Sequence, residues 1–524
     1  MKILLLTGRL AEPIVRRAAR KCPSKYEIEV SVMPLSVASL ATSQSIISHL
    51  RSVRLEDYDL IMVSGAIQES MRPVKDALGI NVVKGPKHAS DLPAILSLYD
   101  PRKLSPDIPA DILLAKEMIR YAEEAIREIE LAVDSKPHIK VNGLPVPIDP
   151  PPIRIVSEIP DVHLLSEEDL MMAAERRIKE GADILALGFQ AGVANREKVR
   201  RSVKLLEDLN VPIAVDSIIP SEIIAGVEAG ASMIMSLEAG NIMKVADKVK
   251  HTPAVIIPYD SRMDYAARTV EDKLRLLERN IESAQRHGVK NLIADPVLEP
   301  IDPSGSAGTF QSLMAYHGLK HKMPDVPLLM GLCNVSELID VDSHGVNATL
   351  TMLAAEIGVS LLLVVERSIK TIRSTAEAKI AAQMVAIAYK KEAPPKDLGL
   401  NLLILKDKRK VETRLDLSDS TIIEASRSDG GYVQDPMGFY TIKVNHEEGV
   451  IEALYKGCKG KILIKGETAR SIYGEILKRG LISELSHAFY LGVELGRAEE
   501  ALRIGKNYVQ EEKLLELPKP INMK

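Results

Sequence analysis

The chain has 524 residues, of which 46% are hydrophobic and 27% charged, with a formal net charge of −4. That length calls for two to four domains with sizeable cores, and a near-neutral balance with no basic block argues against nucleic acid as a partner. Three scattered cysteines (Cys22, Cys333, Cys458) make neither a disulfide framework nor a zinc site, and no uncharged apolar run approaches membrane-spanning length, so a cytoplasmic protein with no bound metal is expected.

The opening Met1-Lys2-Ile3-Leu4-Leu5-Leu6-Thr7-Gly8 is too short for a signal peptide and reads as a strand over 2–7. A helix at 12–21, strands at 27–33 and 60–63, and a strand–helix unit at 80–98 make an α/β, Rossmann-like domain over 1–135. Its turn Lys84-Gly85-Pro86-Lys87-His88-Ala89-Ser90-Asp91-Leu92 sets cationic and polar groups at a helix start, as a capped surface loop or as an anion cradle. The pattern over 110–133 predicts a long amphipathic helix, a connector or a lid. Residues 136–152, rich in proline from Pro145 to Pro152, predict a stiff linker or a plug under the next domain, because proline lacks the N–H that a sheet or helix interior uses.

From 153 to 392 a short apolar run followed by a helical pattern recurs eight times. The runs are 153–159, 182–189, 212–218, 232–238, 254–260, 291–297, 327–332 and 360–366. Strands apolar on both faces, alternating with amphipathic helices, predict a parallel sheet under helices, and eight units predict a closed (β/α)8 TIM barrel. Sites in such barrels lie at the carboxyl ends of the strands. The polar residues there are Glu158, Asp161, Gln190, Asp216, Glu238, Asp260, Asp295, Asn334, Glu366 and Arg367.

After a second linker at 391–397, residues 398–515 predict a small α+β domain with strands at 400–405, 438–444 and 461–465, a helix at 469–479 and helical signal over 485–515. His487, Tyr490, Glu494 and Arg497 fall near helical spacing, as the lining of a groove or as a polar face packed on the barrel.

The strand ends resemble the pterin-binding superfamily of dihydropteroate synthases and methyltetrahydrofolate or methyltetrahydropterin methyltransferases. Pro160-Asp161 closes the first strand. Gly181-Ala182-Asp183-Ile184-Leu185-Ala186-Leu187-Gly188 is similar to Gly-Ala-Asp-Ile-Ile-Asp-Ile-Gly, with Ala186 for the second acid. Ala214-Val215-Asp216-Ser217 and Ala294-Asp295-Pro296 match the Ser-Val-Asp-Thr/Ser and Leu-Asp-Pro elements. Gly331-Leu332-Cys333-Asn334-Val335-Ser336 follows the methyltransferases' Gly-Val/Leu-Ser-Asn-Val-Ser, where the synthases carry Ser-Arg-Lys-Ser. The synthases' final-strand Arg-x-His is replaced around Glu366 and Arg367. Over its whole length the chain resembles the archaeal dihydropteroate synthase-like proteins.

The resemblance implies a reduced pterin, of tetrahydromethanopterin or tetrahydrofolate type, held by Asp216 and Asp295. A carboxylate accepts from the 2-amino group and the adjacent ring N–H in a two-point bond. It gives Asn334 the role of orienting a protonated N5 as a methyl group leaves. Asp161, Gln190, Glu238 and Arg367 are the further ligand-binding candidates. The acceptor is a corrinoid, on a partner protein, or a thiol, and the expected assembly is a homodimer. Two alternatives stay open: condensation of a dihydropterin diphosphate with an arylamine, and a non-catalytic pterin-binding scaffold.

Overall fold

Alternation along Lys2–Thr7 (β1) sends Ile3 and Leu5 into one apolar cluster and Leu4 and Leu6 into another. A strand buried on both faces needs helices on both faces. In this computed structural model, which describes residues 1–305, 307–406, 421–425 and 433–515, β1 lies in a parallel sheet with Glu27–Val32 (β2), Leu60–Val63 (β3) and Val82–Lys84 (β4) in the order β2-β1-β3-β4. Helices Glu12–Arg20 and Leu92–Leu98 cover one face, and Ser43–Leu50 and Arg72–Leu78 the other.

The proline-rich stretch is a hairpin rather than a linker. His138–Val141 (β5) pairs antiparallel with Leu144–Pro147 (β6). Two prolines are tolerated there because a two-stranded ribbon has an open edge on which no N–H is needed. Val141 and Val146 are fully buried among the inward-facing residues of the barrel strands, so the hairpin plugs the barrel floor.

The eight expected runs all form strands: Arg154–Ile159 (β7), Ile184–Gly188 (β8), Ile213–Asp216 (β9), Met233–Leu237 (β10), Ala254–Ile256 (β11), Leu292–Ala294 (β14), Leu329–Gly331 (β15) and Leu361–Val365 (β16). Between β11 and β14 lies a small ribbon, Tyr259–Asp260 (β12) with Tyr265–Ala266 (β13). The barrel strands pair in parallel in the order β14-β11-β10-β9-β8-β7-β16-β15. A bridge from Ala294 to Leu328 and an N–H from Ala294 to the Pro327 carbonyl at 3.0 Å bring the two ends together, giving the (β/α)8 barrel. Val156, Ala186, Ala214, Met235, Val255 and Ile293 fill its inside with the hairpin valines, while the alternate residues (Ile155, Leu185, Val215, Ile234) pack under the helices.

Helix Ala115–Ala132 places Ala122, Ala125 and Ile126 against Met384, Ile387 and Ala388 of the last barrel helix, Ser374–Lys391, so it is a connector and not a lid. Nearby, the Lys391 ammonium meets Asp91 at 2.6 Å, both side chains buried. Residues 400–405 form no strand; Leu400 and Leu402 pack beside Leu398 on the same cluster, and among the described residues no strand pairs with them.

The chain divides into two compact units, Met1–Glu366 with Arg373–Leu405 and Arg367–Ile372 with Lys406–Lys524. In the second unit Gly438–Asn445 (β17), Val450–Gly457 (β18) and Gly460–Gly466 (β19) form an antiparallel meander, with helices Ala469–Lys478 and Leu485–Ile504 on its apolar face. Strand β18 was not expected. The last helix stops well before 515 because Gly505 turns left-handed, at φ +74°. His487 and Glu494 face inward within this unit. His487 meets Asp435 at 3.2 Å, and Glu494 accepts from the Tyr508 hydroxyl at 2.7 Å and from the Glu511 N–H at 3.0 Å. The polar helix face thus packs in its own domain.

Candidate functional site

The site follows from strand alternation. Val156, Ala186, Ala214 and Ile293 form the apolar barrel interior. Two residues on, on the same face of each chain, stand Glu158, Gly188, Asp216 and Asp295. Four strands therefore change from hydrocarbon to carboxylate or glycine at one level, just above the packed core. Gly188 pairs in register with Asp216, and Glu158 with Ala186. A Cβ placed on Gly188 would lie 2.2 Å from Oε1 of Glu158. The Glu158 carboxyl therefore lies over strand β8, on the side from which Asp216 rises.

Asp295 is held from outside the barrel. Its Oδ1 accepts the Val297 N–H at 2.7 Å and the hydroxyl of Tyr316, a fully buried side chain on helix Thr309–Lys322. The fully buried Lys273 donates to the carbonyls of Pro296 (3.0 Å) and Val297 (2.6 Å) and to Glu299 (3.1 Å). These bonds fix a turn in which Val297 takes φ +65°, an unfavourable conformation for a β-branched residue.

Burial dominates the electrostatics. It raises the Asp295 carboxyl to about 6, against the lowering effect of the Tyr316 hydroxyl, the Val297 N–H and Lys273. Asp216 is raised well above the usual carboxylate range, first by burial and then by the charges of Glu158 and Asp295. The Cys333 thiol is pushed up by burial and by the same three carboxyls, which places it at their mouth. Next to it the Asn334 side-chain N–H donates to the Leu298 carbonyl at 2.9 Å, which orients the amide, and its oxygen accepts from the Cys333 thiol at 3.6 Å. Among the described residues, no group of three His, Cys, Asp or Glu side chains sits closely enough to hold a metal ion. The carboxyls feel one another's charge across a gap, an arrangement suited to an organic ligand bearing several N–H donors.

Asp216, Asp295 and Asn334 are thus brought to one mouth, and the other expected residues have different surroundings. Glu238 is buried and its carboxylate is occupied by the Gly240 N–H (2.7 Å) and by the Ser261 N–H and hydroxyl (2.9 and 2.8 Å), so it fastens a loop. Asp260 is ion-paired with Arg262 and Arg279 (2.7 and 3.0 Å), which holds its carboxyl at about 2. Glu366 has the outward parity of Leu362 and Val364, and meets Arg177 and Arg176 under the helices. Asp161 turns left-handed at φ +53° at the end of β7, and Gln190 is exposed on the β8 loop. Arg367 is exposed and starts the short segment that clusters with the second unit.

Glu158, Gly188, Tyr316 and Lys273 were not singled out as ligand-site residues. Glu158 stood among the strand-end polar groups without a role. Tyr316 carries only a faint signal, its spacing with Ser312, Ala315 and Leu319 on a buried helix face.

Residues 158–365 match a family model described as pterin binding enzyme, residues 434–511 one described as PterinBD-DUF4346, and residues 1–87 one described as a family of unknown function. An uncharacterized protein of Methanocaldococcus jannaschii is 35% identical over 525 residues, covering 98% of each chain. The chain belongs to the family of that protein. Solved structures similar to part of this chain include a Yersinia pestis dihydropteroate synthase with a pterin–sulfa conjugate, 19% identical at a TM-score of 0.38, over 49% of this chain and 99% of that one. The Xanthomonas albilineans dihydropteroate synthase in complex with 7,8-dihydropteroate is 24% identical at a TM-score of 0.38, over 49% and 99% of the two chains. Among the described residues no helix is long and apolar enough to cross a membrane.

Proposed function

We propose that the barrel binds a reduced pterin of tetrahydromethanopterin or tetrahydrofolate type and passes its N5 methyl group to a corrinoid or thiol acceptor. The observation that carries this reading is the convergence of Asp216, Asp295 and Asn334 at one mouth, in a segment that matches the pterin binding enzyme family. Asp295 and Asp216 accept from the 2-amino group and ring N–H groups, fixing the ring between β9 and β14. The methyl leaves as an electrophile to the acceptor, and the C–N electron pair stays on N5, which carries the proton. The Asn334 amide oxygen accepts from that N–H and stabilises it as the bond breaks. Asp161 and Gln190, on the loops after β7 and β8, frame the entrance. The protein works in the cytosol as a homodimer served by a corrinoid protein.

Single-turnover mixing of the protein with a methyl-tetrahydropterin and either cob(I)alamin or a small thiol tests the reading. The expected result is demethylated pterin and methylated acceptor in equal amounts, both forming about 10²–10³-fold more slowly in Asn334→Ala. Diphosphate release from a dihydropterin diphosphate plus an arylamine, without methyl transfer, would overturn it in favour of the synthase reaction. Bound pterin with no turnover of either kind would leave a binding scaffold.

A further inference from the structure

Gly188 does not adopt a backbone conformation that requires glycine, since it is not among the positive-φ residues. What it provides is space. A side chain there would collide with the Glu158 carboxyl, at 2.2 Å from Oε1 and 3.1 Å from Cδ. The gap in strand β8 is therefore filled by an acid from strand β7. The register partner of Gly188 is Asp216, so the two carboxyls stand on either side of one glycine. Burial raises the Asp216 carboxyl, and the nearby charge of Glu158 raises it further. The other titratable groups facing this point are Asp295, backed by Tyr316 and Lys273, and the Cys333 thiol.

We propose that Glu158 is a specificity-determining residue that selects the reduced over the fully oxidised ring. This rests on the pterin reading above. An ionised carboxylate only accepts hydrogen bonds. A tetrahydropterin presents N–H groups at ring positions 5 and 8, or a hydrogen-bonding N8–H beside a methylated N5. A fully oxidised pterin has bare nitrogen lone pairs at both positions. Glu158 accepts from the first kind of ring edge and repels the second, so reduction state is read as donor against acceptor.

The test is the affinity ratio between a tetrahydropterin and the matching oxidised pterin, measured by anaerobic calorimetry on the full chain. The wild type is expected to prefer the reduced ring by at least tenfold. In Glu158→Gln the amide can donate to a bare ring nitrogen, so the oxidised ring gains, the reduced ring weakens, and the ratio falls to within about threefold of unity. Gly188→Ala evicts only the flexible end of the Glu158 side chain, so the protein still folds, and the ratio falls in the same direction. An unchanged ratio in both variants, with pterin binding retained, overturns the role of Glu158 and leaves the pterin reading standing. If the wild type binds neither ring, the pterin reading fails and this inference fails with it.

Discussion

Replacing Tyr316 by Phe removes one hydroxyl and leaves the ring that fills the core. The hydroxyl donates to Oδ1 of Asp295, a carboxyl that burial raises to about 6 and that this bond pulls down. A hydrogen bond to a charged group is worth about 1.5–3 kcal/mol. At about 1.4 kcal/mol per pKa unit, its loss moves the Asp295 midpoint up by about one to two units, to roughly 7–8. At pH 7 the ionised fraction then drops from about 90% to between roughly 10% and 50%. A ligand that needs the carboxylate weakens by about two- to tenfold at pH 7 and recovers at pH 9. The assay is tetrahydropterin affinity in the wild type and Tyr316→Phe between pH 5 and 9, with a 13C-carboxyl NMR titration of Asp295 as a direct check. A variant midpoint equal to or below that of the wild type would refute the reasoning.

Other consequences concern catalysis and stability. Asn334→Ala should slow methyl transfer by about 10²–10³-fold, the usual loss for one preorganised polar group, while pterin affinity changes less than tenfold; single-turnover rates and calorimetry separate the two. Lys391→Ala leaves Asp91 buried without its partner, so chemical denaturation should show a loss of about 3–5 kcal/mol, the usual result of breaking a buried pair. Stability should also depend on pH in two windows of opposite sign. Asp260 is held at about 2, below its unfolded value of 3.8, so its contribution is present above pH 3.8 and lost as pH falls toward 2. Asp295 is raised from 3.8 to about 6, so the unfolded chain gives up that proton first and stability falls as pH rises from about 4 to 6. Asp295→Asn removes that second slope in urea titrations and raises stability at neutral pH, at the expense of ligand binding.

The barrel was legible because all eight strands are buried on both faces, and an unbroken apolar run punctuated by helical periodicity leaves few other folds. Elements that depend on a partner distant in sequence were less visible. The hairpin His138–Pro147 was masked by its prolines, whose tolerance depends on an open ribbon edge. Residues 400–405 have the composition of a strand, and among the described residues none pairs with them. Strand β18 mixes Glu452 and Lys456 among its apolar positions, and only pairing on both sides reveals it. At the site, Asp216 and Asp295 stood out as acids ending apolar strands. Tyr316 and Lys273 act from the helices, at a sequence distance that no local pattern spans. Glu158 gains its meaning only from Gly188, two residues beyond its register partner Ala186 on the next strand.

Calorimetric titration of the purified protein with a methyl-tetrahydropterin and with a dihydropterin diphosphate, beside Asp216→Asn, tests the central claim most directly. The account predicts tighter binding of the methylated, reduced ring, lost in the variant. Preference for the diphosphate, or reduced-pterin binding untouched by Asp216→Asn, would contradict it.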